Sequence, residues 1–411
     1  MTSAADTRVP GHTTGRPALR RLVADPDGFA RDVWETAALL TPSADLVGGF
    51  ADLFEEAAVD ELVSRRGLRT PFIRVARDGT TLANRDFTSG GGAGAGIADQ
   101  VDDTKLAALF ADGATLVLQA LHRTWPPLID FTQQLATELG HPVQVNAYVT
   151  PPQSRGFDDH YDVHDVFVVQ IAGRKHWRIH EPVHPVPLRD QPWTDRREAV
   201  AEAADAPPII DAVLEPGDCL YLPRGYLHAA TALGGVSTHL TFGVHTWTRH
   251  AVARTMLDRA LLDLAGEADV RSALPLGVHV GDPADVAPDV ELVRARLLRA
   301  IENMTAEEIS SALATASAST GRPEPIGPVA QLQAARSLTV DTVMVLRRHM
   351  EPRLESYDDG TRLITRAGVI ELGPTDAAAL GMLLAGEPVT ADVLGLDLAR
   401  RLLRAGIVVP T

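Results

Sequence analysis

Apolar residues recur along this chain with two different spacings, and the change between them divides the sequence. Before residue 140 the spacing is mostly helical, with one predicted strand at residues 70–79. From residue 143 to residue 247 the apolar residues instead form short runs separated by turn residues, a pattern typical of a β-sandwich or barrel. The predicted helical stretches lie at residues 30–39, 51–64 and 106–139, the last of them interrupted at Trp125-Pro126-Pro127.

After residue 248 the strands stop and helical spacing returns, with proline-rich connections, over residues 249–350. Residues 351–411 combine a predicted strand, two helices and a terminal strand, an order that resembles a winged-helix module. We therefore expect an α+β protein of four segments. These are a flexible tail at 1–20, a β-rich domain at 21–248, a helical region at 249–350 and a winged-helix-like domain at 351–411.

Composition narrows the class of protein. With 411 residues, 45% of them hydrophobic and 22% charged, the chain fits a globular protein of two or three domains. It contains no uncharged apolar run long enough to cross a membrane, and its polar start argues against a secretory signal. A single cysteine, Cys219, excludes a disulfide framework and a cysteine-cluster metal site, so a cytoplasmic location is expected.

The formal net charge of −16 bears on the choice of partner. Phosphate binding requires a basic surface, so a general nucleic-acid binder is not expected. An acidic protein can attract a basic protein or peptide instead. The charge therefore argues against nucleic acid and is compatible with a basic partner, although negative charge also simply confers solubility.

The candidate chemistry begins with the sequence HYD at residues 160–162. In a β-strand, residues i and i+2 point to the same face, so the imidazole of His160 and the carboxylate of Asp162 could bind one metal ion. His228 lies 66 residues beyond Asp162, after the turn PRG at 223–225. Two histidines and one carboxylate leave coordination positions open, which is the arrangement of non-haem Fe(II) oxygenases. The motif is common by itself, and the alternative for each histidine is an ordinary hydrogen-bonded side chain.

Lys175 follows an apolar run and a predicted turn at Gly173, at the start of the next strand of a hairpin. Of 38 basic residues, only Lys105 and Lys175 are lysines, which favours a specific requirement for lysine here. A cation inside a barrel would bind the distal carboxylate of a dicarboxylate ligand. The alternative is an ordinary surface lysine.

Further histidines are candidates only by residue type, and a packing or hydrogen-bonding role is the expectation for each. His164 shares strand parity with His160 and Asp162, so a position beside the metal is as compatible with the pattern as ligation. Trp177 and Trp247 are expected to pack. The remaining histidines of this group are His176, His180, His239 and His245.

The segment HYDVHDVFVVQIAGRKHWRIH, at residues 160–180, resembles the metal-binding segment of the JmjC-type ribosomal oxygenases. These proteins are 2-oxoglutarate-dependent hydroxylases of the cupin superfamily. The resemblance extends over about residues 20–250, and beyond them only the order of domains is similar. Agreement also comes from LRTPF at 68–72, NAYVTPP at 146–152, PGD at 216–218 and HLT at 239–241.

The resemblance implies a double-stranded β-helix (cupin) core and a role for individual residues. His160, Asp162 and His228 would bind Fe(II), and Lys175 would bind the C5 carboxylate of 2-oxoglutarate. The helical region would form a homodimer. The implied reaction consumes O2 and 2-oxoglutarate and hydroxylates a protein side chain, with Arg or His of a ribosomal protein as the expected substrate.

The resemblance also bears on four positions near the implied cosubstrate. Asn146 would line its pocket, and Tyr148, two residues further along the same strand, is a candidate to face it. Family members often carry a serine where this chain has Gly243, so that contact is missing here. Thr241, on the same strand face as Gly243, is the candidate substitute.

The sequence is also compatible with other functions. The same chemistry could act on a peptide or on a small-molecule natural product. A catalytically silent cupin that binds or regulates is an alternative of a different class, and the complete metal triad together with Lys175 argues against it. Demethylation of N-methyl-lysine is a third option, which the resemblance to hydroxylases does not favour.

Overall fold

A computed structural model describes residues 15–77, 79–154, 157–357, 360–373 and 376–411. Residues 1–14 of the predicted tail lie outside this description. The tail prediction differs from the structure at its other end, because Ala18 and Leu19 are buried in the core. Their backbone N–H groups donate to the carboxylate of Glu138 at 3.1 and 2.8 Å, which fixes this segment against a helix.

The described chain contains strands and helices in alternating blocks. The strands are β1 (Leu39–Thr41), β2 (Ile73–Arg77), β3 (Thr80–Thr81), β4 (Thr88–Ser89), β5 (Gln100–Val101), β6 (Thr115–Leu118), β7 (Val143–Thr150), β8 (Asp165–His180), β9 (Ile210–Leu214), β10 (Cys219–Leu222), β11 (Leu227–Val244), β12 (Val343–Leu346), β13 (Arg353–Tyr357), β14 (Gly360–Thr365), β15 (Gly368–Leu372), β16 (Val389–Thr390) and β17 (Val408–Pro410). The α-helices are α1 (Pro26–Gly28), α2 (Glu56–Arg65), α3 (Asp103–Ala111), α4 (Leu121–Thr124), α5 (Pro126–Leu139), α6 (Arg197–Ala204), α7 (Arg249–Leu264), α8 (Pro283–Glu302), α9 (Ala306–Thr320), α10 (Pro328–Arg336), α11 (Asp376–Ala379), α12 (Gly381–Leu384), α13 (Ala391–Leu394) and α14 (Leu396–Arg404).

A nine-stranded antiparallel sheet forms the β-rich domain, in the order β1-β10-β8-β11-β7-β6-β2-β3 with β9 added to β8. The two longest strands, β8 and β11, pair with each other along most of their length. Their register shifts between Leu233 and Thr238, an irregularity of the kind that bends a strand. Residues from both halves of β8, among them Val168 and Lys175, line one cavity, so the sheet curves around that cavity.

Helix α5 covers the outer face of this sheet and shows why the local sequence folds as it does. Pro126 occupies the first helical position, where a missing N–H is harmless, and Gly140 ends the helix with a left-handed φ of 71°. Leu128, Phe131 and Leu135 follow helical spacing and are buried in the main core.

The structure corrects two of the predicted helical stretches. Residues Thr115–Leu118, inside the predicted helix 106–139, form β6 between β2 and β7, and all four are buried. A short apolar run fits a helix or a central strand equally well, so strand pairing decides the outcome. In the stretch 30–39, a short helical turn at Phe29–Val33 is followed by β1, which begins at Leu39.

The described chain divides into two compact units. One comprises residues up to 246 together with 323–349 and 378–411, and the other comprises 247–322 and 350–377. This division differs from the predicted boundary at residue 350. Strand β12 pairs with β16 and β17 in the first unit, whereas β13, β14 and β15 form a separate sheet in the second. None of the described helices is both long enough and apolar enough to cross a membrane.

Candidate metal centre and cosubstrate pocket

His160 and His228 face each other through an antiparallel bridge between two segments that are distant in sequence. The backbone N–H of His228 donates to the carbonyl oxygen of His160 at 2.8 Å, and the reverse bond measures 3.3 Å. This pairing brings the two imidazole centroids to 4.4 Å from each other. Asp162 Oδ2 lies 3.8 Å from His228 Nε2, and one ligand atom from each of the three residues lies within 4.8 Å of the others. The three side chains are therefore grouped around the place of a single ion.

Backbone carbonyl groups orient both imidazole rings. Nδ1 of His160 lies 2.7 Å from the carbonyl oxygen of Asp158, and Nδ1 of His228 lies 3.1 Å from that of Tyr226. A neutral imidazole that donates from Nδ1 presents the lone pair of Nε2, so both rings are fixed in the tautomer that binds a metal through Nε2.

The protonation states also suit a divalent cation. Burial, and then the nearby His160, lowers the pKa of His228 to about 4, and burial lowers the pKa of His160 as well. Burial alone would raise the pKa of Asp162, but the neighbouring His164, His228 and His160 outweigh it and lower the pKa. Near neutral pH the cluster is therefore two neutral imidazoles and one carboxylate, the donor set that open Fe(II) sites use.

The cavity runs from the triad to Lys175, which is 4% exposed. Its ammonium donates to Thr150 Oγ1 at 3.2 Å and lies 5.9 Å from the centroid of the Trp177 ring. Burial lowers the pKa of Lys175 to about 7. No carboxylate pairs with this ammonium within the described ranges, and a buried cation without a counterion favours an anionic ligand.

The structure brings together six of the seven predicted site residues. His160, Asp162, His228, Lys175, Tyr148 and Thr241 line the cavity. Asn146 is not in this lining, and its Oδ1 accepts a hydrogen bond from the backbone N–H of Ala120 at 3.0 Å. The predicted role of Asn146 as a lining residue therefore differs from its place in the structure, where it links β7 to the start of α4.

The lining also contains residues that were not predicted as site residues, among them Thr115, Trp177 and His239. Thr150, likewise not predicted, contacts the cavity through its hydrogen bond with Lys175. The ring of His239 stacks on Tyr148 at 4.9 Å and meets Trp177 edge-on at 5.4 Å. Burial, and then Lys175, holds the pKa of His239 well below its usual value, so this ring is neutral. His239 shares a strand face with Thr241, so strand alternation could have identified it. Thr115 lies in β6, which the sequence pattern assigned to a helix.

Tyr148 lines the same cavity as the triad. Burial, and then the charge of Asp162, raises the pKa of this phenol to about 12. The hydroxyl group is therefore protonated near neutral pH and is available to donate a hydrogen bond to a ligand.

Side-chain packing explains why position 243 is a glycine. A Cβ atom at this position would lie 3.0 Å from His164 Cε1 and 3.2 Å from the side chain of Gln144. His164 itself packs edge-on against His245, with centroids 5.2 Å apart. The histidine ring thus occupies the space that a larger residue at position 243 would need.

Gly243→Ser is therefore expected to destabilise the fold by about 1–3 kcal/mol, because the half-buried side chains of His164 and Gln144 must shift to make room for it. Gly235→Ser is the matched control on the same strand, and it should change stability little because a Cβ atom there would meet no other atom within 4 Å. Urea unfolding of both variants measures the difference. Equal stability of the two variants would contradict this explanation of Gly243.

Comparison with known proteins identifies the domain around this site. Residues 124–252 match the model of the JmjC domain family. They form a JmjC domain. The match contains the metal triad, Lys175 and every other predicted site residue. The large antiparallel sheet with its helices is accordingly a JmjC cupin fold of mixed α+β class.

Curated relatives carry related names. The chain is 31% identical to ribosomal oxygenase 1 of Gallus gallus over 258 residues, which is 62% of this chain and 41% of that protein. It is 37% identical over 137 residues to the bifunctional lysine-specific demethylase and histidyl-hydroxylase NO66 of Aedes aegypti, which is 33% of this chain and 21% of that protein. The matched segments thus span less than half of these relatives.

Solved structures extend the likeness in fold. The Escherichia coli ribosomal oxygenase YcfD superposes with a TM-score of 0.56 at 18% identity, covering 95% of this chain and 99% of that one. A second structure of YcfD, in complex with cobalt and 2-oxoglutarate, gives a TM-score of 0.52 over the same share of both chains. At this identity the likeness concerns the fold.

Proposed function

We propose that this protein is an Fe(II)- and 2-oxoglutarate-dependent oxygenase that hydroxylates a protein side chain. One observation carries the proposal: a metal-competent triad and a buried ammonium, with no carboxylate partner among the described residues, share one cavity. His160, Asp162 and His228 would hold Fe(II), and Lys175 would hold the distal carboxylate of 2-oxoglutarate. Bound iron would supply the oxygen chemistry that converts 2-oxoglutarate to succinate and CO2 and hydroxylates a C–H bond.

The protein's own residues orient the cosubstrate and exclude water. Thr150 accepts a hydrogen bond from Lys175 and so directs the ammonium into the cavity. Tyr148 and Thr241 offer hydroxyl donors along the wall. Asn146 would support this wall through its bond to the Ala120 backbone. Trp177, His239 and Val168 close the cavity with ring and methyl groups, which favours the binding of charged groups to Lys175 by keeping water away.

The substrate we propose is an Arg or His side chain of a ribosomal protein. The names of the curated relatives and of the YcfD structures support this choice. The net charge of −16 supports it as well, because an acidic protein attracts a basic partner. The same chemistry on a peptide or a small natural product is the competing proposal. Demethylation of N-methyl-lysine is a further competing proposal, because the Aedes aegypti relative is named a demethylase as well.

Exposed apolar residues in the helical region bear on the oligomeric state. Helix α7 exposes Leu257, Leu261 and Leu262, and we propose that the region 249–350 forms a homodimer through apolar surface of this kind. The predicted winged-helix-like domain at 351–411 is divided between the two units, and we propose that its residues serve protein interaction. The cytoplasm, where ribosomal proteins are made, is the proposed location.

Titration of the apoprotein with Fe(II) and 2-oxoglutarate without oxygen tests the proposed cofactors. We expect the weak visible charge-transfer band of a keto acid chelated to iron. Oxygen and basic ribosomal proteins are then added, and a mass increase of one oxygen atom on a single peptide identifies the substrate. Absence of the band from folded protein would reject the oxygenase and leave a non-catalytic cupin that binds or regulates.

A further inference from the structure

The metal ligands lie on two segments, and their separation has to be fixed by contacts between these segments. One segment carries His160 and Asp162 and continues into β8. The other contains the turn 223–225 and leads into β11, whose second residue is His228. Besides the bridge between the two histidines, the backbone N–H of Gly225 donates to the carbonyl oxygen of Asp162 at 3.0 Å. The position of this turn therefore bears directly on the geometry of the triad.

A buried carboxylate connects the same two segments. Asp165, three residues after Asp162, is fully buried. Its Oδ1 accepts the backbone N–H of Arg224 at 3.1 Å and Nη1 of Arg224 at 3.3 Å. Its Oδ2 accepts the hydroxyl group of Tyr221 at 2.8 Å. All three donors lie within the segment that precedes His228, so Asp165 holds that segment through three hydrogen bonds.

Arg224 extends the connection to two further segments. Its guanidinium is 6% exposed, and Nη1 also donates to Thr246 Oγ1 at 2.9 Å and to the carboxylate of Glu35. The backbone N–H of Glu35 donates to the hydroxyl group of Tyr221 at 3.0 Å, which closes the network. The hydrogen bonds that Asp165 and Arg224 form with these described residues end on no metal-ligating atom, so an effect on the metal passes through the backbone.

We propose that Asp165 and Arg224 are positioning residues that set the separation of Asp162 and His228 and thereby the affinity for the metal ion. This inference rests on the proposed function of the triad. Buried ion pairs contribute little net stability, because desolvation offsets their attraction, so stability alone does not account for one at this place. Charged hydrogen bonds do impose direction, and here they fix the turn that precedes His228 relative to the segment that carries Asp162.

The test compares two variants with the same chemical change. Asp165→Asn replaces one carboxylate oxygen by an NH2 group that faces donors, so it disrupts the network. Asp218→Asn is the matched control: its carboxylate also accepts two backbone N–H groups, from Ser43 and Glu215, both at 2.8 Å, at the other end of β10. The probe is Co(II), which is stable in air and absorbs visible light, titrated into the apoprotein below the unfolding temperature of every variant.

We expect the Kd for Co(II) to rise about 10- to 100-fold in Asp165→Asn, the range seen when residues behind metal ligands are replaced. In Asp218→Asn it should stay within about twofold of the wild type, well below that range. Turnover of Asp165→Asn should recover at saturating metal, with kcat retained, which a defect in folding would not produce. Tyr221→Phe removes the two hydrogen bonds of the Tyr221 hydroxyl group. Arg224→Lys keeps the charge but changes the bonds of the guanidinium. Both should show smaller increases in the same direction.

The outcomes separate this inference from the proposed function. Wild-type protein that does not bind Co(II) would overturn both. Wild-type binding with an unchanged Kd in Asp165→Asn would overturn the positioning role alone. If Asp165→Asn does not fold, unchanged Kd values in both Tyr221→Phe and Arg224→Lys would overturn it equally.

Discussion

Asp162→Ala is expected to abolish metal binding while leaving the protein folded. Asp162 is the one carboxylate of the triad, and without it two neutral imidazoles must hold a doubly charged ion. Replacing residues that only hydrogen-bond to metal ligands weakens metal affinity about 10- to 100-fold. Loss of a ligand itself should therefore weaken it by at least about 100-fold. Co(II) titration measures the affinity, and 2-oxoglutarate turnover should fall to background.

The control for this variant is Asp211→Ala. Asp211 forms a close pair with His176 on the exposed outer side of β8, so it is a carboxylate beside a histidine that lies outside the cavity. We expect its metal affinity and turnover to match the wild type. Near-normal Co(II) affinity in Asp162→Ala would show that the ion binds elsewhere and would remove the basis of the proposed function.

Lys175→Met is expected to weaken the binding of 2-oxoglutarate by about 30-fold or more. Methionine keeps the length of the side chain and removes the charge, and loss of one partner of a buried charge pair typically corresponds to about 2–5 kcal/mol. Affinity for the metal should be unchanged. The variant should also be no less stable than the wild type, because burial disfavours the ammonium in the empty cavity.

The pH dependence supplies a second measurement on the same residue. The pKa of Lys175 is lowered to about 7, so the ammonium that would bind a carboxylate loses its proton as the pH rises through that value. The affinity of the wild type for 2-oxoglutarate should therefore fall by about tenfold between pH 6 and pH 8. In Lys175→Met this dependence should disappear.

Lys105→Met is the matched control, since it removes the other lysine of the chain, whose ammonium donates to the Thr88 carbonyl outside the cavity. Its affinity for 2-oxoglutarate should equal that of the wild type at every pH. If Lys175→Met and Lys105→Met bind 2-oxoglutarate equally well, the distal carboxylate is held by another group.

Site residues that stand out through a local sequence pattern could be predicted from the sequence alone. The HYD motif, the later histidine after a proline-glycine turn, and a rare lysine are visible in one sequence. The strand start predicted at Lys175 is wrong, because β8 runs unbroken from Asp165 to His180 past the predicted turn at Gly173. These site residues were placed near each other only from the alternation of side chains along strands and from the resemblance to the JmjC-type oxygenases. The structure groups the metal triad and Lys175 around one cavity, together with Tyr148 and Thr241.

Other features required long-range pairing. Thr115–Leu118 reads as part of a helix until β2 and β7 pair on either side of it, and the cavity residue Thr115 was missed for that reason. Asn146 has the strand parity of Tyr148, but its carboxamide bonds to the Ala120 backbone, a contact that parity does not reveal. Strand β12 joins β16 and β17, which the order of elements along the chain does not indicate.

The sequence by itself determined the residue types of the metal site, the lysine and the β-rich character of the domain around them. Spacing along a strand and the residues of a turn are local properties, and a single chain displays them. Only the tertiary structure decided which buried groups surround Lys175, why position 243 is glycine, and how Asp165 meets Arg224 across 59 residues. The physical reason is that burial and hydrogen bonding depend on side chains that meet only after distant strands have paired.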